Sequence, residues 1–483
     1  MPGNQLPAVQ HIVHLMLENR SFDHLLGFLY ADSENVSPTG AAFEGLTGQE
    51  SNPDTSGNPV TIFKINPTDP GAYFMPGADP GEGYANTNSQ LFGSGTAPVP
   101  PVATNHGFVT NFDATIAWDQ RVGRSVASGT TAASIMGAFT PEALPVLSGL
   151  ARGYAVCDHW FSSVPTETFP NRAFACAATS QGHLNDSTAS YTVQSIFGLM
   201  TAHNLEWKIY GYNEEPLTRK NFPDTTNAPD ANFGKFTDFT ADAAAGSLPQ
   251  YSFLEPSWGS SGNSQHPNYD VALGEQLIHD VYYALRGGPG WAQGQTLLII
   301  SYDEHGGCYD HVPPPSGAVP PDDSPGEFAF DFTRFGVRVP AVLVSPLIPA
   351  GTVFRVADGS TPFDHTSVLK TVETRWELPA LTRRDAAAPD VGDALTLDAP
   401  RADDPLAGVV VPVSSGANPA AAEVSHIQQV DAQLTASLPV PAEALRTAPV
   451  LSAMHTPADY EEYTRSRTAT WQAVRGPSTA PPA

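Results

Sequence analysis

The amino-acid sequence predicts an α/β protein with a doubly wound, mostly parallel sheet, helices on both faces and long connecting loops. Short apolar runs of strand length alternate with amphipathic helical patterns along most of the chain, which is typical of such folds. The apolar run at 297–300 follows a Gly/Pro-rich turn at 287–290. This arrangement predicts a strand buried on both faces, as in a parallel sheet. The 46 Pro and 41 Gly residues predict the long loops.

Composition excludes several classes of protein. The 483 residues include 23 basic and 50 acidic ones, a formal net charge of −27. This balance argues against binding nucleic acid or an anionic membrane through overall charge. No run of 18 apolar residues occurs, so we expect no integral membrane association. Three Cys residues exclude a disulfide framework, although one pair could form. Nothing in the sequence indicates an oligomeric state.

The first residues leave the compartment open. Residues 1–7 lack both the basic and the apolar part of a leader peptide. The sequence as written therefore fits a cytoplasmic protein, or a secreted protein shown without its leader.

The predicted elements begin with a strand at 9–17 and a helix that Ser21 caps and that runs through Phe28. Residues 31–134 show little periodicity, and we expect a long irregular segment there. The later predicted elements are helices at 140–151, 172–179 and 193–204, a helix from Val271, a helix capped by residues 364–367, strands at 154–157, 206–210, 251–254, 296–302 and 337–345, and a polar loop at 212–250.

Polar side chains follow two of the apolar strands at the point where each strand ends. Glu18 and Asn19 follow the first strand, and Asp303 and Glu304 follow the strand at 296–302. Ligands of open α/β sheets bind outside the carboxyl ends of the strands. Since parallel strands bring these ends together, we expect the four side chains to bind a metal ion. A solvated acidic turn is the alternative for the pair Asp303–Glu304.

A hydroxyl side chain stands in the Pro-bounded turn 165–170. Thr168 precedes the predicted helix at 172–179, and a helix N-terminus favours an anion such as phosphate. An ordinary helix cap is the alternative for a residue of this type.

Three segments together resemble the signature blocks of the phosphoesterase family, which contains the non-specific phospholipases C of bacteria and plants and related acid phosphatases. The segments are Glu18-Asn19-Arg20-Ser21-Phe22-Asp23-His24, Thr168-Phe169-Pro170-Asn171-Arg172, and Asp303-Glu304-His305-Gly306-Gly307 through Asp310-His311-Val312-Pro313-Pro314. They occur in the order of the family, within about residues 9–378. Three long motifs in order are far more specific than one.

The resemblance implies an alkaline-phosphatase-like α/β sandwich and a set of functional residues. Glu18, Asn19, Asp303 and Glu304 correspond to residues that hold a metal in the family, and Thr168 corresponds to its nucleophile. By placement, His106 and His266 resemble the two histidines that assist at the phosphate.

The chemistry expected of these residues follows from the charge of a phosphate ester, which repels nucleophiles. A cation neutralises this charge and lowers the pKa of an attacking hydroxyl, so that a phosphothreonine forms and is then hydrolysed. The four oxygen-donor residues favour Ca²⁺, Mg²⁺ or Mn²⁺.

Four further residues of the motifs have expected roles around this centre. Asn171 and Arg172 could contact phosphate, although Arg172 could instead pair with a carboxylate. His305 and His311 are expected to orient the acidic ligands from outside.

The resemblance divides the chain into a catalytic domain at 1–380 and a C-terminal extension at 381–483. The extension is Ala-, Asp-, Pro- and Val-rich at 385–425, shows short helical patterns at 424–437 and 457–474, and ends in a segment, 477–483, expected to be flexible. Because the extension matches the family poorly, we expect no catalytic role for it.

The predicted function is a metal-dependent hydrolase of phospholipase C type, which cleaves a glycerophospholipid to diacylglycerol and a phosphorylated head group. An acid phosphatase for soluble phosphate monoesters is the first alternative. The second alternative is an inactive binding protein on the same scaffold, against which the intact motif residues argue.

Overall fold

An eight-stranded sheet forms the centre of the protein. The computed structural model describes residues 3–187, 190–212, 215–259, 262–267, 269–415, 423–443 and 451–475. The strands are β1 (His11–Leu17), β2 (Ser51–Pro53), β3 (Pro59–Thr61), β4 (Phe63–Ile65), β5 (Gly137–Phe139), β6 (Ala155–Cys157), β7 (Trp207–Gly211), β8 (Phe233–Lys235), β9 (Tyr251–Glu255), β10 (Thr296–Tyr302), β11 (Ala341–Val344) and β12 (Thr352–Val353).

The main sheet has the strand order β12-β6-β11-β10-β1-β9-β7-β8. All neighbouring pairs are parallel except the two that involve β11, which runs antiparallel to β10 and to β6. Every residue of β10 is buried. The predicted α/β class and the mostly parallel sheet are therefore confirmed. Outside this sheet, β2 pairs with β3 and β4 pairs with β5.

The helices contact one another in several groups around the sheet. The helices are α1 (Phe22–Leu26), α2 (Tyr84–Phe92), α3 (Phe108–Val122), α4 (Pro145–Gly153), α5 (Thr168–Ala177), α6 (Ile196–Ala202), α7 (Pro223–Thr226), α8 (Phe236–Ala245), α9 (Val271–Arg286), α10 (Pro289–Ala292), α11 (Thr366–Trp376), α12 (Arg383–Ala387), α13 (His426–Ser437) and α14 (Pro457–Arg475). Helix α9 packs against α4, α8 and α10, whereas α11 packs against α5 and α12.

Most predicted elements are present with shorter bounds. The strand predicted at 9–17 is β1, and Ser21 caps α1 by accepting a hydrogen bond from the His24 N–H at 3.2 Å. The helix predicted from Val271 is α9, which begins after the capping residue Asp270.

The prediction of an irregular segment at 31–134 was wrong, because α2, α3 and three short strands lie within it. Helix α2 buries the polar side chains Thr87, Asn88 and Gln90. A helix that buries polar residues lacks the apolar period by which a sequence reveals it. The prediction of a polar loop at 212–250 was also wrong, because this segment contains β8 and α8.

The Ala-, Asp-, Pro- and Val-rich segment at 385–425 packs on the sheet domain in its described part. Leu397 donates its N–H to the Leu347 carbonyl at 3.0 Å, and Leu406 is buried against Gly149 of α4. The two helical patterns of the C-terminal extension form α13 and α14, and the tail predicted to be flexible, 477–483, lies outside the described residues.

None of the helices in the described part of the chain has the length and apolar character that crossing a bilayer requires. Cys157, Cys176 and Cys308 are buried free thiols.

Candidate active site

The two strand ends singled out in the sequence meet in the structure. β1 and β10 are parallel neighbours, and Leu17 pairs with Tyr302 at the end of the register. Asn19 and Asp303 follow these strands, and the Asn19 N–H donates to Asp303 Oδ1 at 3.2 Å. Asn19 has a φ of +53°, a left-handed conformation that Asn adopts more readily than most residues. The predicted convergence of the two polar pairs is therefore confirmed.

Two carboxyl groups at this edge are buried with few hydrogen-bond donors. Both oxygens of Glu18 and the Oε1 atom of Glu304 have no hydrogen-bond partner among the described residues. Burial and the neighbouring Asp303 raise the pKa of Glu18 to about 8. Burial, Glu82 and Asp303 likewise raise the pKa of Glu304 well above its ordinary value.

Buried acidic oxygens without donors are costly unless a cation or a proton compensates them. Carboxylate and amide oxygens are also the ligands that hard divalent cations prefer. The residues present, Glu18, Asn19, Asp303 and Glu304, therefore fit a divalent cation.

Thr168 lies beside this edge as the first residue of α5. Its Oγ atom lies 3.3 Å from Asn19 Nδ2 and 3.4 Å from Asn19 Oδ1. Glu167, rather than Thr168, occupies the N-cap position. The next residue, Phe169, donates its N–H to Asp186 Oδ1 at 2.8 Å. Thr168 is thus held at a helix N-terminus with its hydroxyl directed at a predicted metal-binding residue.

The two polar residues that follow Thr168 in its motif differ in their contacts. Asn171 accepts from the Val164 N–H and donates to the carbonyls of Val164, Thr166 and Glu167 at 2.8–3.2 Å, so it fastens the turn.

Arg172 donates from Nε to Asp303 Oδ2 at 2.9 Å, as the alternative for this residue predicted. Its buried Nη1 atom has no partner among the described residues. Of the two, Arg172 is the one with a donor left for a phosphate.

The two histidines predicted to assist at the phosphate, His106 and His266, differ in burial and in their neighbours. His266 is buried, with Nε2 3.9 Å from Glu82 Oε2 and Nδ1 3.8 Å from Asp79 Oδ1. His106 is exposed in the segment before α3. No hydrogen bond or ion pair joins His106 to the other predicted site residues in the described part of the chain. The structure therefore brings His266, and not His106, to the group around Thr168.

The two histidines of the third motif also differ in their contacts. His305 Nδ1 lies 3.2 Å from Glu304 Oε2, and its Nε2 lies 2.7 Å from Gln90 Oε1, so it can orient Glu304. His311 Nδ1 contacts Asp23 Oδ2 at 2.7 Å instead. Asp23 and Asp310 bind Arg338, so His311 belongs to a buried ionic network that holds the motif against α1.

Two further residues complete the site and were not predicted. Glu82 Oε2 accepts from Asn19 Nδ2 at 2.8 Å, and His426 of α13 lies 3.9 Å from Glu82 Oε1. Glu82 belongs to two separate groups of three residues, one with Asp79 and His266 and the other with Glu167 and His426. Within each group, the side-chain atoms able to bind a metal lie within 4.8 Å of one another.

The segment Asp79-Pro80-Gly81-Glu82-Gly83 carries the signal that could have revealed Glu82, namely acidic residues in a Gly/Pro turn. No local signal marks His426.

This arrangement suits attack on a phosphorus atom. A hydroxyl group, an arginine with a donor to spare and a buried acidic cluster that fits a cation lie around Asn19. Catalysis of phosphoryl transfer depends mainly on positioning and on neutralisation of charge.

Comparison with known proteins confirms the predicted family. The model of the phosphoesterase family matches residues 9–379. Non-specific phospholipase C6 of Arabidopsis thaliana is 37% identical over 423 residues, which cover 82% of this chain and 74% of that protein. Phospholipase C A of Mycobacterium tuberculosis is 29% identical over 447 residues, which cover 83% of this chain and 79% of that protein.

Among solved structures, the alkaline phosphatase from the Antarctic bacterium TAB5 aligns over 76% of this chain and 98% of that one, at 8% identity and a TM-score of 0.27. The family match spans most of the chain, and the relatives cover more than four fifths of it. The chain therefore belongs to the phosphoesterase family and is a phosphoric ester hydrolase.

Proposed function

We propose that the protein is a metal-dependent phospholipase C that cleaves a glycerophospholipid to diacylglycerol and a phosphorylated head group. The names of its relatives in Arabidopsis and Mycobacterium support the substrate class. The observation that carries the mechanism is the Thr168 hydroxyl beside Asn19, at an edge where Glu18 and Glu304 have unpartnered buried oxygens.

The proposed reaction has two displacements at phosphorus. Thr168 Oγ releases its proton to solvent and forms a bond to phosphorus, and the bond between phosphorus and the glycerol oxygen breaks. The leaving oxygen takes up a proton and departs as diacylglycerol. Water then attacks the phosphothreonine, the bond between Thr168 Oγ and phosphorus breaks, and a proton returns to Thr168 Oγ. The phosphorylated head group leaves, and the enzyme is restored.

Glu18, Asn19, Asp303 and Glu304 would hold the cation, and their oxygens favour Ca²⁺, Mg²⁺ or Mn²⁺. When bound, this cation supplies positive charge for the phosphate and lowers the pKa of a neighbouring hydroxyl. Arg172 is kept in place by Asp303, and its Nη1 donor is directed to a phosphate oxygen in the proposal.

His266 is the proposed donor of the proton to the leaving oxygen. Burial lowers its pKa, but Asp79, Glu82 and Glu18 together raise the pKa of His266 above its ordinary value. A histidine in acidic surroundings holds its proton near neutral pH and can release it to a developing alkoxide. The exposed His106 has no part in this scheme.

The test compares a lipid diester with a soluble monoester. Purified protein is assayed on phosphatidylcholine, with release of diacylglycerol as the readout, and on p-nitrophenyl phosphate, each with Ca²⁺, Mg²⁺ or Mn²⁺ and after chelation. We expect metal-dependent release of diacylglycerol. Turnover of p-nitrophenyl phosphate alone would identify the acid phosphatase instead, and binding of either ester without turnover would identify the inactive binding protein.

A further inference from the structure

We propose that His426, in the C-terminal extension beyond the family match, is a positioning residue for Thr168. The inference rests on the proposed role of Thr168 as the nucleophile. His426 lies in a segment for which the sequence predicts no catalytic role, and its contacts cross the predicted boundary at residue 380.

The extension is fastened to the sheet domain next to the active site. Helices α13 and α14 pack against each other. Asp431 of α13 accepts hydrogen bonds from Lys220 and from the Tyr460 hydroxyl of α14. Gln428 Nε2 donates to the Trp258 carbonyl at 2.6 Å. These groups are buried, so the α13–α14 pair has a defined position on the domain.

The extension also packs on the turn that carries the nucleophile. Phe169, the residue after Thr168, is 1% exposed and belongs to an apolar cluster built mainly by the extension. Its partners include Ile427 and Val430 of α13, together with Trp258 of the domain. Arg172 lies over the Trp258 ring at 4.9 Å. The apolar face of α13 therefore supports the first turn of α5.

His426 is the first residue of α13, and it faces three carboxyl groups. Its Nδ1 atom lies 3.6 Å from Asp186 Oδ2 and 3.9 Å from Glu82 Oε1. Glu167 forms a group with Glu82 and His426 whose ligand atoms are all within 4.8 Å of one another. Glu82 contributes most to raising the pKa of His426 to about 10, with Asp186 and Glu167 adding to it. His426 thus carries a positive charge among three acids.

Two short paths lead from these acids to Thr168. In the first, Glu82 Oε2 accepts from Asn19 Nδ2 at 2.8 Å, and Asn19 contacts the Thr168 hydroxyl. In the second, Asp186 Oδ1 accepts the N–H of Phe169 at 2.8 Å. His426 is the group at which the two paths meet.

Removal of the His426 charge would disturb both paths at once. Burial and the neighbouring carboxyl groups already raise the pKa values of Glu167 and Asp186. Without the nearby cation, Glu82, Glu167 and Asp186 would favour further separation or protonation across a partly buried space. Either response weakens the hold of Glu82 on Asn19 and of Asp186 on Phe169. A shift of the nucleophile by a fraction of an ångström lowers the rate of an aligned displacement more than it lowers substrate binding.

The experiment uses the full-length chain and whichever of phosphatidylcholine and p-nitrophenyl phosphate the unmodified protein hydrolyses faster. Four variants are compared with the parent: His426→Ala, His426→Gln, Asp186→Asn and the double variant His426→Ala/Asp186→Asn. Gln429→Ala is the matched control, because Gln429 lies on the same helix and is exposed. The kcat and KM values and the melting temperature are measured for each.

We expect His426→Ala to lower kcat about 10-fold, as loss of an orienting partner does, with a smaller loss in His426→Gln. The KM values of the His426 variants should stay within about twofold of the parent, and so should kcat and KM of Gln429→Ala. The double variant should lose about as much as the worse single variant, because the two residues act on the same path.

A kcat within about twofold of the parent in His426→Ala would overturn the proposal. It would also be overturned if the fold-loss of kcat in the double variant equalled the product of the fold-losses in the two single variants. If His426→Ala loses its folded extension, as shown by a fall in melting temperature, His426→Gln decides in its place. Thr168→Ala separates the two proposals: normal turnover in that variant defeats the proposed nucleophile, whereas an inactive Thr168→Ala with normal His426 variants defeats only the role of His426.

Discussion

The Thr168 hydroxyl and the Asn19 side chain lie 3.3–3.4 Å apart although 149 residues separate them in the chain. Asn19 reaches this position because it follows β1 at the centre of the sheet, and Thr168 because it begins α5. Asn19 also binds Asp303 through its N–H and Glu82 through Nδ2. One asparagine thereby connects the hydroxyl to the acidic cluster.

Replacement of Thr168 tests the nucleophile. We expect Thr168→Ala to lower kcat on the order of 10³-fold or more, since the attacking atom is lost. Thr168→Ser should keep part of the activity because it retains the hydroxyl. Rapid acid quench of the parent during turnover should trap a phosphorylated peptide that contains Thr168.

The same variants exclude a merely structural role. Since Glu167 holds the N-cap position, Thr168→Ala should change stability by less than the ~0.5–2 kcal/mol that loss of a cap costs. A variant with near-normal kcat and no phosphopeptide in the parent would identify water as the attacking group.

Replacement of Glu18 tests the metal centre. Glu18→Gln removes a buried carboxyl group whose oxygens accept no hydrogen bond among the described residues. In chelating buffer at a pH above the Glu18 pKa of about 8, where the parent carries this charge, we expect the variant to be more stable than the parent by on the order of 1–3 kcal/mol, because repulsion from Asp303 disappears. It should also bind Ca²⁺, Mg²⁺ or Mn²⁺ more weakly in calorimetric titration.

The exposed Glu142 supplies the control for this prediction, since Glu142→Gln should change neither stability nor metal binding. Unchanged metal affinity in Glu18→Gln would remove Glu18 from the proposed ligands.

The ionic network of Arg338 is expected to matter for stability. Its guanidinium is fully buried and donates to Asp310, to Asp23 and to the carbonyls of Glu44 and Asp158, each at 2.9 Å. Lysine cannot reproduce this fork, so Arg338→Lys should destabilise the protein by about 3–5 kcal/mol. Urea denaturation measures the loss.

The exposed pair of Arg383 and Asp323 is the matched comparison, with side chains 54% and 95% exposed. Arg383→Lys should cost less than about 1 kcal/mol. Equal losses of unfolding free energy in the two variants would show that burial of the Arg338 network contributes nothing to stability.

Glu373 is expected to make stability fall as the pH rises. Burial and the neighbouring Asp385 raise the pKa of Glu373 to about 9, whereas the unfolded chain loses this proton near the ordinary value of 4.5. Between these two pKa values the folded state binds the proton and the unfolded state does not. The stabilisation that this group contributes is therefore fully present below pH 4.5 and is lost progressively as the pH rises to about 9.

Glu373→Gln replaces the carboxyl group by an amide of nearly the same shape that has no titrating proton. We expect the variant to be more stable than the parent by on the order of 1–2 kcal/mol at pH 8, and by less at pH 5. Urea denaturation at the two pH values checks this. An equal difference at both would show that Glu373 ionises normally.

The sequence by itself determined the central sheet and the position of the site on it. The run at 297–300 predicted a doubly buried strand, and the polar residues after β1 and β10 predicted the sheet edge at which we propose that the cation binds. These signals are local, because a strand and the residues that end it are contiguous in the chain. The same holds for Thr168, which the sequence placed in a Pro-bounded turn and which begins α5 in the structure.

Tertiary structure alone decided which of the remaining polar residues join that edge. His106 and His311 lie in or near motifs, yet one is exposed and the other contacts Asp23. Glu82 and His426 reach the site from a turn before a polar helix and from the extension. No periodicity of the chain encodes such contacts, because they depend on packing between segments that are hundreds of residues apart and on how buried charges compensate one another.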